Sequence, residues 1–295
     1  MKERIIIEEK YYKVWLTLIK NLGFRRYINL MEKFKSHKAL FNASKSELKG
    51  VSLIDEKMAE SILDVVTRKK VVNHLKYMQA NNIDIIAIYD KEYPDCLREI
   101  YSPPICLYIK GNKSILNGLN IGIVGCRDCS KYGMQIAKEF SYNLAKQNLN
   151  IVSGLAKGID AYSHWGAVGA KGKTIAVLGN GLDIIYPEEN INLSKKIICE
   201  GGAIISEYPL GTKPEKKNFP ARNRIISGMS KSIIVVEAKK KSGTIITVDF
   251  ALEQGRDVFV VPGNINSKNS EGTNDLIKQG ARLITSFKEV LDELK

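Results

Sequence analysis

Histidine is scarce in this 295-residue chain, with three in all. The five cysteines supply one C-x-x-C pair, Cys126 and Cys129. No second pair or nearby histidine completes a metal site, so the two read as small loop-filling residues and no metal is expected. An odd number of cysteines in a mid-sized chain fits reduced thiols in a cytosol better than a disulfide framework. No apolar run approaches the length of a transmembrane helix, so no membrane association is expected. The opening run, Met1 to Glu9, turns acidic too soon for a signal peptide, and the expected location is cytoplasmic. No G-x-G-x-x-G fingerprint and no G-x-S-x-G elbow occur, which argues against a dinucleotide cofactor and against a serine hydrolase. Carboxylates are also in deficit: 32 Asp and Glu face 45 Lys and Arg, for a formal net charge of +13. Such an excess favours a polyanionic partner.

What is present falls into two parts, an N-terminal helical domain over residues 1–75 and a larger domain over 76–295. The first is apolar at helical spacing over Tyr11–Leu22, with further helices expected around Arg26–Phe34, Lys38–Phe41 and Glu56–Arg68. Leu48-Lys49-Gly50-Val51 followed by Met58-Ala59-Ile62 resembles a helix-hairpin-helix. Ser52 and Leu53 stand where a second hairpin glycine is usual, which favours a plain helical packing module. From residue 83 short β-branched runs appear at Ile83–Ile88, Ile105–Ile109, Ile121–Val124, Asn150–Val152, Thr174–Leu178, Ala203–Ser206, Ser232–Val236 and Val258–Val261. Amphipathic helices lie between the later ones, such as Tyr132–Gln147, Ile159–Gly169 and Thr244–Gln254, and a last helix is expected near Phe287–Leu294. Strands alternating with helices predict an α/β fold, a Rossmann-like, doubly wound and mostly parallel sheet. Ligands in such sheets bind at the carboxyl ends of the strands.

Those ends carry the chemistry. Gly125-Cys126-Arg127 follows one strand, with Ser130 ready to cap the next helix and Arg127 placed as a phosphate clamp. Ser153-Gly154-Leu155-Ala156-Lys157-Gly158 follows another and offers a second anion cradle. His164 and Asp160 lie close enough in sequence to suggest a triad with Ser153, but a histidine packed behind the loop is the better reading. After Ala203–Ser206 comes a basic loop from Lys213 to Arg224, with Lys216, Arg222 and Arg224 among five cations around Phe219. Cations interleaved with an aromatic suit a single strand, whose bases stack on rings while its phosphates meet the charges. Lys239, Ser242, Gly243 and Thr244 form a further helix-opening loop, and Lys173 adds a cation ahead of the strand at Thr174. No convincing general base or nucleophile accompanies these groups, so binding rather than catalysis is expected, with no cofactor.

The same strings resemble the DprA family of bacterial DNA-processing proteins, also called Smf. The resemblance rests on Ile123-Val124-Gly125-Cys126-Arg127, on Ser153 to Asp160 with His164, and on Phe219-Pro220-Ala221-Arg222-Asn223-Arg224. It extends to Glu237-Ala238-Lys239, Ser242 to Thr247 and Glu253 to Val258, and covers roughly residues 83–285. It implies an extended Rossmann-like domain preceded by a sterile-alpha-motif-like module. The implied activity is to bind and protect single-stranded DNA and help load the recombinase RecA, in natural transformation or recombination. By motif, Arg127, Lys216 and Phe219 would be central to the DNA pocket, with Arg222, Arg224 and Lys239 nearby. Cys126 stands where the family commonly has serine or threonine. The resemblance also implies a homodimer, with Ile277 and Leu283 at its interface. The nearest rival is the family of nucleotide-cleaving phosphoribohydrolases, whose P-G-G-x-G-T-x-x-E run is only approximated by Ser242-Gly243-Thr244. Thr247 replaces its glutamate, and without that carboxylate the cleavage chemistry is lost.

Overall fold

The chain before the sheet is helical because its turns are capped by side chains at short intervals. In the computed structural model, which describes residues 2–294 and side chains from residue 9, it forms α1 (Lys2–Leu18), α2 (Phe24–Phe34), α3 (His37–Phe41), α4 (Lys45–Lys49), α5 (Glu56–Leu63) and α6 (Val65–Ala80). Ser44 and Glu47 form a capping box at the start of α4, and Asp55 caps α5. The single helix expected over Glu56–Arg68 is two helices. Asp64 accepts hydrogen bonds from the amides of Val66 and Thr67, so it opens α6 instead of continuing α5. The helix expected to reach Leu22 stops at Leu18, and Asn21 takes a left-handed conformation, φ 59°. Helix α6 runs through the expected boundary at 75/76. Trp15, Leu30, Leu48 and Ile62 share one buried cluster with Ile85, Leu107 and Tyr108 of the sheet. Thr17 Oγ1 and the Tyr108 hydroxyl lie 2.7 Å apart across that junction.

The remainder alternates: β1 (Ile83–Ala87), α7 (Asp95–Arg98), β2 (Cys106–Gly111), β3 (Asn120–Val124), α8 (Lys131–Lys146), β4 (Asn150–Ser153), α9 (Ile159–Gly169), β5 (Thr174–Val177), α10 (Ile191–Cys199), β6 (Ala203–Ser206), α11 (Asn218–Gly228), β7 (Ser232–Val235), α12 (Gly243–Glu253), β8 (Asp257–Val260), α13 (Glu271–Lys278), β9 (Arg282–Leu283) and α14 (Phe287–Glu293). Among the described residues one nine-stranded sheet forms, in the order β1-β2-β6-β5-β4-β3-β7-β8-β9. Neighbours from β6 to β9 are parallel, while β2 is antiparallel to both β1 and β6. This is the mostly parallel, doubly wound sheet expected from the sequence. Strands leave β3 in one direction and resume at β7 on its other side, so the switch point lies between β3 and β7. Helices cover both faces, which is why these strands are continuously apolar. Ile121, Ile123, Ile234 and Phe259 join Phe140 and Leu144 of α8 on one side. Val124, Ile233, Val235 and Val260 join Ile225 and Val248 on the other.

The expected basic loop Lys213–Arg224 is a loop only to Lys217, and α11 begins at Asn218. Pro220 is tolerated because the first helical turn needs no intrahelical donor there.

Behind the sheet's working edge, His164 on α9 is fully buried, and its Nδ1 lies 2.7 Å from Thr174 Oγ1. Thr174 donates its own proton to the Ile151 carbonyl, so His164 Nδ1–H is the donor to it. Burial lowers the imidazole to about 3 from an ordinary 6.5, and the nearby Arg222 charge adds to the effect. The folded state therefore refuses a proton that the unfolded chain takes near pH 6.5, and stability falls as pH drops from that value toward 3. The contribution is at most about 1.4 kcal/mol per pH unit. In denaturant melts at successive pH values, His164→Leu should show a shallower loss between pH 6 and 4 than the unsubstituted chain, by up to about 1 kcal/mol per unit. Equal slopes would place the acid sensitivity elsewhere.

Candidate nucleic-acid interface

The carboxyl ends of the parallel strands open into a cleft of about 700 Å³ beside the switch point. Arg127 comes to it from the loop after β3, Lys239 from the loop after β7, Ser242, Gly243 and Thr244 from the start of α12. Lys216 and Phe219 come from the entry to α11. With Arg222, which is also on the lining, eight of the residues singled out as DNA contacts in the sequence meet in one place.

Two contacts fix the loop that carries Arg127. The amide of Cys126 donates to the Glu237 carbonyl at 2.9 Å, and the Cys126 carbonyl accepts from the Ile159 amide at 3.1 Å. Glu237, buried at the end of β7, accepts from the Ser130 amide at 2.9 Å and from the Ser130 hydroxyl at 2.6 Å. Ser130 in turn caps α8 by accepting from the Gly133 amide. Gly158 completes the clamp. Its φ is +76°, and a Cβ there would sit 2.3 Å from the carbonyl oxygens of both Cys126 and Arg127. Only glycine lets the second loop pass this close.

With its backbone held, the Arg127 side chain is exposed and lies over the Phe219 ring, 5.4 Å from the centroid. Phe219 is half-buried, with the Tyr186 ring 5.8 Å away. Arg127, Lys216 and Lys239 make no ion pair with a carboxylate among the described residues. Asp128 is the exposed carboxylate on the same lining. Ser242 occupies the N-cap position of α12, yet its hydroxyl caps no amide and has no hydrogen-bond partner among the described residues. The hydroxyl oxygen is itself shielded from solvent, so what the start of this eleven-residue helix offers an anion is the backbone amides of its first turn. Burial raises both the Cys126 and Cys129 thiols, which makes them poor thiolates.

Several expected contacts lie elsewhere. Arg222 is 3% exposed, and its head only backs the cleft. Its Nη1 donates to the Gly154 carbonyl at 2.7 Å and to the Val177 carbonyl. It is a buried brace, not a free phosphate clamp, because α11 turns this face of the basic segment inward. Burial lowers its guanidinium to about 10. The same burial raises the Asp160 carboxyl, against the opposing pull of Arg222 and of the Ala156 and Gly154 amides. Gly154 is required by this brace, since a Cβ would meet Arg222 Nη2 at 2.5 Å. Ser153 is buried as well, donating to the Ile123 carbonyl at 2.7 Å. Arg224 is spent on a bidentate pair with Glu207, both bonds 2.6 Å. Lys157 is exposed but off the cleft, paired with Glu189 at 2.5 Å. Lys173 stands at the amino end of β5, opposite the rim. The reading from sequence missed the roles of Glu237 and Asp160. A carboxylate at the end of an apolar strand, in a rim otherwise basic, was the available signal.

The family model described as DNA recombination-mediator protein A matches residues 84–295. The chain is 45% identical over 213 residues to the DNA processing protein DprA of Bacillus subtilis (strain 168), covering 72% of this chain and 71% of that one. It is 42% identical over 228 residues to Protein Smf of Escherichia coli (strain K12), covering 77% of this chain and 61% of that one. Among solved structures, DNA processing protein A of Streptococcus pneumoniae superposes with a TM-score of 0.77 at 34% identity, over 96% of this chain and 97% of that one. That of Helicobacter pylori, described for its single-stranded DNA binding mode, gives 0.65 at 30% identity, over 72% and 95%.

The two arginines of the site should separate by their effect on stability. Arg222→Ala leaves two buried carbonyls unpaired and Asp160 without its opposing charge, and should cost about 3–5 kcal/mol in unfolding free energy. Arg127→Ala removes an exposed group and should change it by less than about 0.5 kcal/mol. A thermal melt of each variant decides the matter, and equal losses would refute the assignment.

Proposed function

Because the chain belongs to the DNA recombination-mediator protein A family, we propose that its rim cleft binds single-stranded DNA and acts by binding rather than by catalysis. The observation that carries this reading is the convergence of Arg127, Lys216 and Lys239 on one cleft without carboxylate partners, beside the Phe219 and Tyr186 rings. The cations meet phosphates, and a base packs against the aromatic pair. The first amides of α12 add neutral donors for a phosphate. With the cations on phosphates and the rings on base faces, little sequence preference is expected. The buried Asp160 and His164 serve the brace and the loop rather than a reaction. The Helicobacter pylori relative, described by its single-stranded DNA binding, supports the same ligand class.

In the same reading the bound strand is protected and passed to the recombinase RecA, in natural transformation or recombination, within the cytoplasm. This part rests on the family resemblance.

The experiment is binding of labelled oligo-dT and matched duplex across a salt series. Single strands should bind more tightly than duplex, with affinity falling as salt rises. Arg127→Ala should cost about 1–3 kcal/mol of binding and flatten the salt slope. Phe219→Ala should cost a similar amount, about 1–3 kcal/mol, with the slope kept. Equal or tighter duplex binding at every salt concentration would falsify the proposal.

A homodimer through the β9 edge belongs to the same proposal. Leu276 and Ile284 are buried within the subunit, but Leu283 is 42% exposed on the two-residue edge strand, with Ile277 partly buried on α13. Pairing along this edge would set two clefts on one strand and raise affinity for long oligonucleotides without new contacts. Leu283→Arg alone, and with Ile277→Arg, should give a folded monomer in sedimentation that loses more affinity for long than for short oligonucleotides. An unsubstituted chain that sediments as a monomer at micromolar concentration ends the dimer reading.

A further inference from the structure

A second cationic and aromatic hollow lies on the same rim, beyond the far end of β6. Strand β2 enters antiparallel to β6, with Tyr108 opposite Ser206, so the loop leading into β2 stands at the carboxyl end of the parallel strands. Tyr101 on that loop is 80% exposed. The Arg25 guanidinium of α2 lies 5.0 Å from its ring centroid and donates to its hydroxyl. Arg26 stands next to it, donating to the carbonyls of Leu53 and Asn21. The hollow between them, about 420 Å³, is lined by both arginines, Tyr101, Phe24 and Leu53, and no carboxylate is on its lining.

Two features mark it as a built surface. A large ring left 80% exposed buries little apolar area and gains little for the fold by its position. It is nevertheless held in place: Arg224 Nε donates to the Ser102 carbonyl at 2.9 Å, while the same guanidinium is anchored by Glu207. Arg224 sits on α11, whose first turn carries Phe219 into the main cleft. One helix thus positions both aromatic groups. Four strand spacings separate β3 from β2 in the sheet order, roughly 19 Å at about 4.8 Å each.

We infer that Tyr101, Arg25 and Arg26 form a second contact site for the same single strand, taking a base on the Tyr101 ring and a phosphate on the arginines after the strand leaves the main cleft. This rests on the single-strand reading above. Charge selects the occupant: two arginines with no carboxylate on the lining favour a phosphodiester over an acidic-poor protein surface, and the open ring suits a base of any identity. Arg224 is a positioning residue for this site rather than a ligand to DNA.

The test compares the full chain and its variants on oligo-dT of about 6 and about 20 nucleotides. Tyr101→Ala and Arg25→Ala should each weaken the longer oligonucleotide by about tenfold and leave the shorter one unchanged. Tyr101→Phe, which keeps the ring, should bind like the unsubstituted chain. Arg127→Ala should weaken both lengths. If Tyr101→Ala and Arg25→Ala bind the longer strand normally while Arg127→Ala does not, the second site is wrong and the main cleft stands. A surface for a protein partner would give that same null result. If the unsubstituted chain binds neither length, the single-strand reading itself falls.

Discussion

Burial of the Arg222 charge is the constraint on which the arrangement of the rim depends. A guanidinium taken out of water must find acceptors, and here they are the carbonyls that end β4 and β5, with Asp160 supplying opposing charge. This fixes α11 against the sheet. From that one helix Phe219 reaches the cleft below Arg127, and Arg224 reaches Glu207 and the Tyr101 loop. Strong positive charge in the sequence is thus divided by geometry into two uses. Buried arginines shape the surface, while exposed ones are left for a ligand.

The loops on the other side of the cleft are held by a different device. Glu237 accepts twice from Ser130 and lends its carbonyl to Cys126, so the end of β7 grips the loop after β3. Both strands flank the switch point, where the helices diverge to opposite faces and leave a crevice. Arg127 therefore protrudes from a backbone with little freedom. In the proposed reading, a phosphate that met it would find the loop already held, and less backbone entropy would be lost on binding.

Strand and helix positions in the large domain were legible because their physical signal is local. Runs such as Ile233–Val236 are apolar at every position, as strands covered on both faces must be. The meeting of Arg127, Phe219, Lys239 and Ser242 was legible too, since each follows a strand end or opens a helix. What local patterns do not carry is the direction of a side chain. Arg222 and Arg224 belong to a basic run that looks solvated, and only the onset of α11 at Asn218 turns one inward and pairs the other with Glu207. Lys173 shows the same limit from the other side: a cation beside a strand, but at its amino end. In the helical segment, Asp64 was read as interior, whereas its carboxylate is better satisfied as a cap.

The width of the sheet has a consequence of its own. Eight strand spacings lie between β1 and β9, roughly 38 Å at about 4.8 Å each. That is more than four Debye lengths, each about 8 Å at physiological ionic strength. The two lateral edges are therefore electrostatically insulated from each other. Charge added or neutralised along β9 is screened out before it reaches the arginines of α2, and any communication between the edges must travel mechanically, through the packed helices and the strands themselves.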